Sequence, residues 1–238
     1  MRPFRAAWLH GWRTMGRYHR YEIEGFDNLP RDRAALIVGY HGRPLAHDQC
    51  MLTVAIHDRL GYLPHGVIHG SMQSPGLRRV VDELGFVCGD GPDVTAAIAA
   101  REHLLVQPGG TREGCRSFRH RYTVSWGRRR GYLRLAIRHG MPIVPVAASG
   151  TDDCFIGLND GYAWGKRLGV PLRLPAWLGV GPLGVWPMSP PFPVKIRQLI
   201  GAPIETDVSV DDAEGVERLH NRVAGAVQSL LDQARRAA

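Results

Sequence analysis

The sequence predicts an α/β fold: a single domain with a mainly parallel central sheet flanked by helices, an N-terminal amphipathic helix and a C-terminal packing helix. Three observations carry that expectation. Short apolar runs with β-branched centres (ALIVGY, HLLVQP, PIVPVAAS) alternate with stretches of helical periodicity. Each run exits into a turn rich in Gly, Pro or small residues, the place where open α/β sheets hold ligands. A length of 238 residues, 44% hydrophobic and 22% charged, suits one substantial core and is short for two complete domains.

Residues 1–20 are expected to form the N-terminal helix. Met1, Phe4, Trp8, Trp12 and Met15 recur at helical spacing, while Arg2, Arg5, Arg13, Arg17 and Arg20 fall largely elsewhere. That pattern fits an interfacial helix on a membrane and equally a terminal helix packed on its own domain, because tryptophan serves both. No continuous apolar core supports a secretory signal or a spanning helix here.

Residues 21–238 form the remaining domain. YEIEG (21–25) reads as a short strand and ALIVGY (35–40) as a longer one. A helix follows over 48–60, with Met51, Leu52, Ala55 and Ile56 at near-helical intervals and Gly61 as its stop. A weaker strand around Gly66 to His69 leads to the helix LRRVVDELG, ended by Gly85. Pro92 and Asp93 open the Ala-rich helix PDVTAAIAAREH, since proline is tolerated in a first helical turn. HLLVQP is a buried strand, RRGYLRLAIRHG a helix stopped at Gly140, and PIVPVAAS a third buried strand. VKIRQLIG is the last strand, and Val216, Leu219, Val223, Val227, Leu230 and Ala234 trace one face of the terminal helix.

Residues 169–193 read as a Pro/Gly-rich apolar loop, and from Leu174 to Val194 the chain carries no charge. Pro175, Pro182, Pro187, Pro190, Pro191 and Pro193 exclude a spanning helix, because lipid-exposed irregular backbone is not tolerated across a bilayer. A loop this greasy, with Trp177, Trp186 and Phe192, marks a binding site or membrane contact, or else covers the edge of the core. The net charge of +8 admits polyanions, anionic lipid or a phosphate-bearing molecule as partner. Cys50, Cys88, Cys115 and Cys154 form no CxxC pair, which argues against a clustered metal site or disulfide framework and for a reducing, cytoplasmic setting.

The chemistry-bearing stretch is GYHGRPLAHD. His41 directly follows a buried strand, and Asp48 lies near the start of the next helix. A carboxylate there can accept one imidazole N–H, fixing the tautomer so that the other nitrogen takes a proton. Asp48 alone would also pass as a helix N-cap. In QPGGTRE, the Pro108-Gly109-Gly110 turn can aim backbone N–H groups at an anion, and Arg112 adds a bidentate cation; the plain alternative is an ordinary turn with Arg112 and Glu113 paired on the surface.

Together these residues resemble the glycerolipid acyltransferases, which include the lysophosphatidate acyltransferases and the diacylglycerol acyltransferase-like branch. YEIEGFDNLP resembles the strand before the catalytic segment, and GYHGRPLAHD the His-to-Asp block. QPGGTREG looks like the family's Gly-x-Arg block in its diacylglycerol-acyltransferase-like form, and WGRRRGYLRLAIRHGMPIVPV the segment that closes the site. The chain departs from the usual pattern in two places. Six residues, not four, separate His41 from Asp48, with His47 beside the carboxylate as a possible substitute or assistant; and PGGTRE replaces Pro-Glu-Gly-Thr-Arg.

The resemblance implies acyl transfer from acyl-CoA or an acyl-carrier protein to a lipid hydroxyl, with no cofactor and no metal. It makes His41 the general base, Asp48 its orienting partner, and Arg43, Gly109, Gly110, Thr111, Arg112 and Glu113 the substrate-binding set. Arg116, Arg119, Arg128, Arg129 and Arg130 are candidate contacts for the phosphates of the donor, and the greasy loop is a candidate lining for the acyl chain. The expected setting is peripheral, on the cytoplasmic face of a membrane. The competing expectations are an inactive lipid-binding protein of the same fold and a metal hydrolase using His41, His47 and Asp48; nucleic-acid binding has only the charge in its favour.

Overall fold

The β-branched runs become the centre of one sheet in the computed structural model, which describes residues 3–68, 76, 78–170 and 175–236. Its strands, in spatial order, are β1 (Glu22–Glu24), β10 (Arg197–Ile200), β6 (Ile143–Ser149), β2 (Leu36–Gly39), β5 (Leu104–Val106), β3 (His65–Ile68) and β4 (Val87–Cys88). Only β10 and β6 pair antiparallel. Parallel neighbours need crossovers, which α2 (His47–Leu60), α3 (Arg78–Leu84), α4 (Pro92–Ala99) and α6 (Gly131–Arg138) supply. His69, read from sequence as part of the third strand, lies outside the described residues, as do Met1, Arg2 and Leu174.

β2 is buried along its whole length because strands flank it and helices cover both faces. Its alternation divides the core. Leu36 and Val38 join Leu133, Val223 and Val227 on one side, and Ile37 joins Leu52, Ile56 and Val144 on the other. The terminal helix α8 (Ala213–Arg236) lies against β6 with Val216, Leu219, Val223 and Val227 buried as its pattern predicts. One position differs: Leu231 is fully buried and Leu230 only partly, because the seam advances in steps of four after Val223.

The helix α1 (Pro3–Tyr18) packs on α2 and α3. Leu9 is buried with Val54, Leu63 and Leu84, Trp8 stands edge-on to Phe86 at 6.3 Å, and its indole N–H donates to Thr53 Oγ1 at 2.9 Å. Of the stripe read from sequence, Trp8 and Trp12 are used in packing, whereas Phe4 stays 40% exposed.

The 169–193 stretch is not wholly loop. β8 (Gly179–Gly181) and β9 (Gly184–Val185) form a hairpin that joins β7 (Ile156–Gly157) in a second, three-stranded sheet. Strands this short, interrupted by Gly and Pro, give no period-2 signal to read. Among the described residues no helix is long and apolar enough to cross a membrane.

Candidate active site

Three adjacent strands end side by side at one edge of the sheet. β6, β2 and β5 run parallel, so their C-terminal turns, Gly150-Thr151-Asp152, His41-Gly42-Arg43 and Pro108-Gly109-Gly110, assemble at the ligand-holding edge of an open α/β sheet.

His41 is clamped through its backbone. Its N–H donates to Glu113 Oε2 at 2.9 Å, and its carbonyl accepts from Arg116 NH1 at 3.2 Å. The ring lies on Gly114, where a Cβ would come within 2.8 Å of Nδ1; only glycine leaves that room. Nδ1 is sealed without a hydrogen-bond partner among the described residues. Burial lowers the imidazole pKa to about 4, only partly offset by the Arg43 backbone, so the ring is neutral at pH 7.

Glu113 belongs to the short helix α5 (Gly110–Gly114) and folds back over Gly109. Its other oxygen accepts from Ser125 N at 2.7 Å, and burial pushes its pKa up to about 7. It positions the His41 turn instead of presenting a carboxylate to solvent. Arg43 is fully buried: Nε donates to the Asp152 carbonyl at 2.8 Å and NH1 to the Arg116 carbonyl at 2.9 Å. Asp152, itself fully buried, accepts from Arg116 NH2 with both oxygens at 2.8 Å and also receives the Tyr40 hydroxyl. Asp152 and Gly114 are not singled out by the sequence reading, and Arg116 enters it only as a candidate phosphate contact. The acidic pair that ends PIVPVAASGTDD was the available signal.

The structure does not join His41 to Asp48. Asp48 sits in the first turn of α2, fully buried, with Oδ2 accepting from Gln49 Nε2 at 3.1 Å and Oδ1 without a partner among the described residues. Gly39 makes room for Gln49, whose Nε2 lies 2.4 Å from where a Cβ would be. Burial raises the Asp48 pKa to about 7. The spacer between the two residues is instead pinned by Arg43 to Asp152 and closed by Ala46 N donating to Arg43 O at 2.7 Å. His47 turns elsewhere: its ring stands edge-on to Trp12 at 5.5 Å and to His19 at 5.7 Å, beneath α1. Among the described residues no group of three or more His, Cys, Asp or Glu side chains could hold a metal ion.

The remaining candidates separate into engaged and open groups. The Gly110 amide is committed to Gln107 O at 3.0 Å, so it does not point outward as the turn reading expected. Gly109 is buried; its carbonyl receives Arg129, whose NH1 also reaches Pro108 O at 2.9 Å. Thr111 Oγ1 meets Tyr162 OH at 2.6 Å. Of the five arginines read as phosphate contacts, Arg116 and Arg129 are tied down as described and Arg130 pairs with Glu217 at 2.9 Å. Arg112, Arg119 and Arg128 are exposed. Where β3 and β5 end, an open cleft of about 420 Å³ has Val67, Ile68, Val106 and Leu135 in its lining together with the charged Asp90, Arg134 and Arg138.

Comparison with known proteins agrees with this architecture. A diacylglycerol acyltransferase family model matches residues 67–237. The "DGAT1/2-independent enzyme synthesizing storage lipids" of Gallus gallus is 31% identical over 92% of this chain and 62% of its own length, and the Homo sapiens protein of that name is 30% identical over 92% and 63%. The chain therefore spans about three-fifths of the length of these relatives. An uncharacterised Mycobacterium tuberculosis protein is 28% identical over 97% of this chain and 64% of its own. The crystal structure of the 1-acyl-sn-glycerophosphate acyltransferase PlsC from Thermotoga maritima superposes with a TM-score of 0.52 at 18% identity, covering 97% of this chain and 83% of that one, a likeness of fold.

Proposed function

This chain belongs to the diacylglycerol acyltransferase family, and from that premise we propose that it moves a fatty acyl group from an acyl thioester to a hydroxyl of a glycerolipid or related acceptor, with His41 as general base. The observation that carries this is the position of His41: held by its backbone on both sides at the meeting of three strand ends, with Nδ1 unsatisfied.

In the proposed step a neutral His41 takes the acceptor hydroxyl proton as the oxygen attacks the thioester carbonyl. The tetrahedral oxyanion collapses, the C–S bond breaks, and the thiolate recovers the proton from the imidazolium. Asp48 acts on His41 once the turn rearranges to join them. A bond between Nδ1–H and Asp48 Oδ1 would satisfy two orphaned polar atoms and lift the imidazole toward the basicity the step needs.

The donor is acyl-CoA or an acyl-carrier protein, and exposed Arg112, Arg119 and Arg128 are the cations free to meet its phosphates. The cleft beside β5 takes an acyl chain. Storage-lipid synthesis by the chicken and human relatives favours a neutral glyceride as acceptor. The reaction takes place at a membrane surface, on its cytoplasmic side.

Purified chain incubated with long-chain acyl-CoA and a panel of monoacylglycerol, diacylglycerol, lysophosphatidate and glycerol tests the proposal by thiol release and ester formation. His41→Ala is expected to lower the rate roughly 10²- to 10⁴-fold. Lipid binding without turnover in the wild type would return the inactive alternative, and an unchanged rate in His41→Ala would remove the base assignment.

A further inference from the structure

Of the eleven large hydrophobic side chains exposed among the described residues, eight fall between Ile156 and Met188. Their placement is organised by the small sheet. Ile156 pairs with Val180 and Val180 with Val185 across the three strands, and Leu158 N bonds Leu178 O at 2.9 Å. Because successive side chains alternate between faces, Ile156, Leu158, Leu178, Val180 and Val185 share one face. The opposite face carries Gly157, Gly179 and Gly181. There a Cβ at Gly179 would sit 2.2 Å from the Trp177 ring, and one at Gly181 would sit 3.0 Å from Phe155. The sheet is therefore glycine-in and aliphatic-out, the reverse of an ordinary half-buried antiparallel sheet, whose solvent face is polar.

The turn between β8 and β9 and the stretch after β9 add Leu183 at 80% and Met188 at 81% exposure. The helix α7 (Gly161–Arg167) adds Trp164, with Leu168 one turn on, and the exposed cations Lys166 and Arg167 stand between them. From 155 to 194 the sequence holds Lys166, Arg167 and Arg173 against one acid, Asp160, whose carboxylate caps α7 by accepting from Ala163 N at 2.8 Å. The patch borders the site. Gly161 N bonds Cys115 O at 2.9 Å, Tyr162 OH meets Thr111 Oγ1, and half-exposed Leu45 lies four residues after His41.

We propose that the outer face of β7, β8 and β9, with the adjoining α7, is a docking surface for an anionic lipid bilayer that holds the His41 edge at the interface. Aliphatic side chains enter the acyl region, Trp164 sits at headgroup level, and Lys166 and Arg167 meet lipid phosphates. A soluble apolar partner would cover the aliphatic face but gives no reason for the bias toward cations. The proposal rests on the acyltransferase reading for the direction in which the lipid substrate arrives, yet its binding test needs no turnover.

Co-sedimentation of the full chain with phosphatidylcholine vesicles, with and without phosphatidylglycerol, decides it. The wild type binds the anionic vesicles. Leu183→Asp with Met188→Asp weakens that binding roughly tenfold or more, at an unchanged melting temperature. Lys166→Ala with Arg167→Ala weakens it roughly fivefold per cation on anionic vesicles, and high salt does the same to the wild type. Phe4→Asp, on the exposed side of α1, changes nothing. Wild-type binding by the Leu183→Asp and Met188→Asp double variant, loss of binding in Phe4→Asp, or a concentration-dependent dimer that the double variant abolishes would each overturn the proposal. Wild-type binding to vesicles with no acyl transfer would sink the enzymatic reading and leave this one standing.

Discussion

α1 and the segment 155–194 around β7–β9 look alike in composition: both combine tryptophan and other apolar side chains with arginine or lysine. In α1 the tryptophans of the stripe are drawn into packing while Phe4 is not, with Leu9 beside them 7% exposed and Trp8 and Trp12 against Phe86 and His47. Around the small sheet Trp177 turns inward onto Phe155 at 6.4 Å, while Trp164 and the aliphatic residues stay outside. Amphipathic composition therefore identifies a surface that must be covered but not its cover. What differs is whether the domain supplies a complementary face.

The comparison breaks most visibly at Leu9. Leu9→Asp places a carboxylate in the α1, α2 and α3 cluster and is expected to cost about 3–5 kcal/mol in urea denaturation. A helix standing free of the domain would leave the curve unmoved.

The first turn of α2 offers two sharper tests, because it buries His47 and Asp48. Burial raises Asp48 from 3.8 to about 7, so between those values the folded chain keeps a proton that the unfolded chain has released. The stability linked to Asp48 is full below the lower pKa and is lost as pH rises to the upper one. Asp48→Asn is thus expected to stabilise the fold by about 3 kcal/mol above neutrality and to change little at acid pH, while acyl transfer falls. His47 has the opposite sign. Burial lowers it from 6.5 to about 3, so stability present above the upper value drains away as pH falls toward the lower one. His47→Phe keeps the ring against Trp12 and should recover about 2–3 kcal/mol near pH 4, seen as a melting curve less sensitive to acid.

The smallest effect belongs to the other region. Leu183→Asp and Met188→Asp should move stability by no more than about 0.5 kcal/mol, since among the described residues those side chains are 80% and 81% exposed. A large loss would show that the sheet face is part of the core.

Much of the main sheet was legible because its strands are buried on both faces and its helices show a long apolar period. β2, β5 and β6 read as continuous hydrophobic runs, and Gly61 and Gly140, at φ 86° and 57°, mark helix stops where only glycine adopts that backbone without strain. β4, β7, β8 and β9 have two or three residues each, too few for a period. At the site, His41, Arg43 and Glu113 were singled out from motif order, but not what each does locally. Arg43 and Glu113 prove to be internal anchors of the His41 turn.

The amino-acid order by itself determined the strand and helix alternation, the placing of His41 at a strand exit and the family resemblance, because those depend on neighbours a few residues apart. Only the tertiary structure decided that Asp152 binds Arg116 and that Gly114 seats the His41 ring. It also left Asp48 and His41 each with an unpaired atom, and placed one greasy surface inside and another outside. Those outcomes depend on which distant segments meet, and burial sets the charge state of a side chain only once they have met.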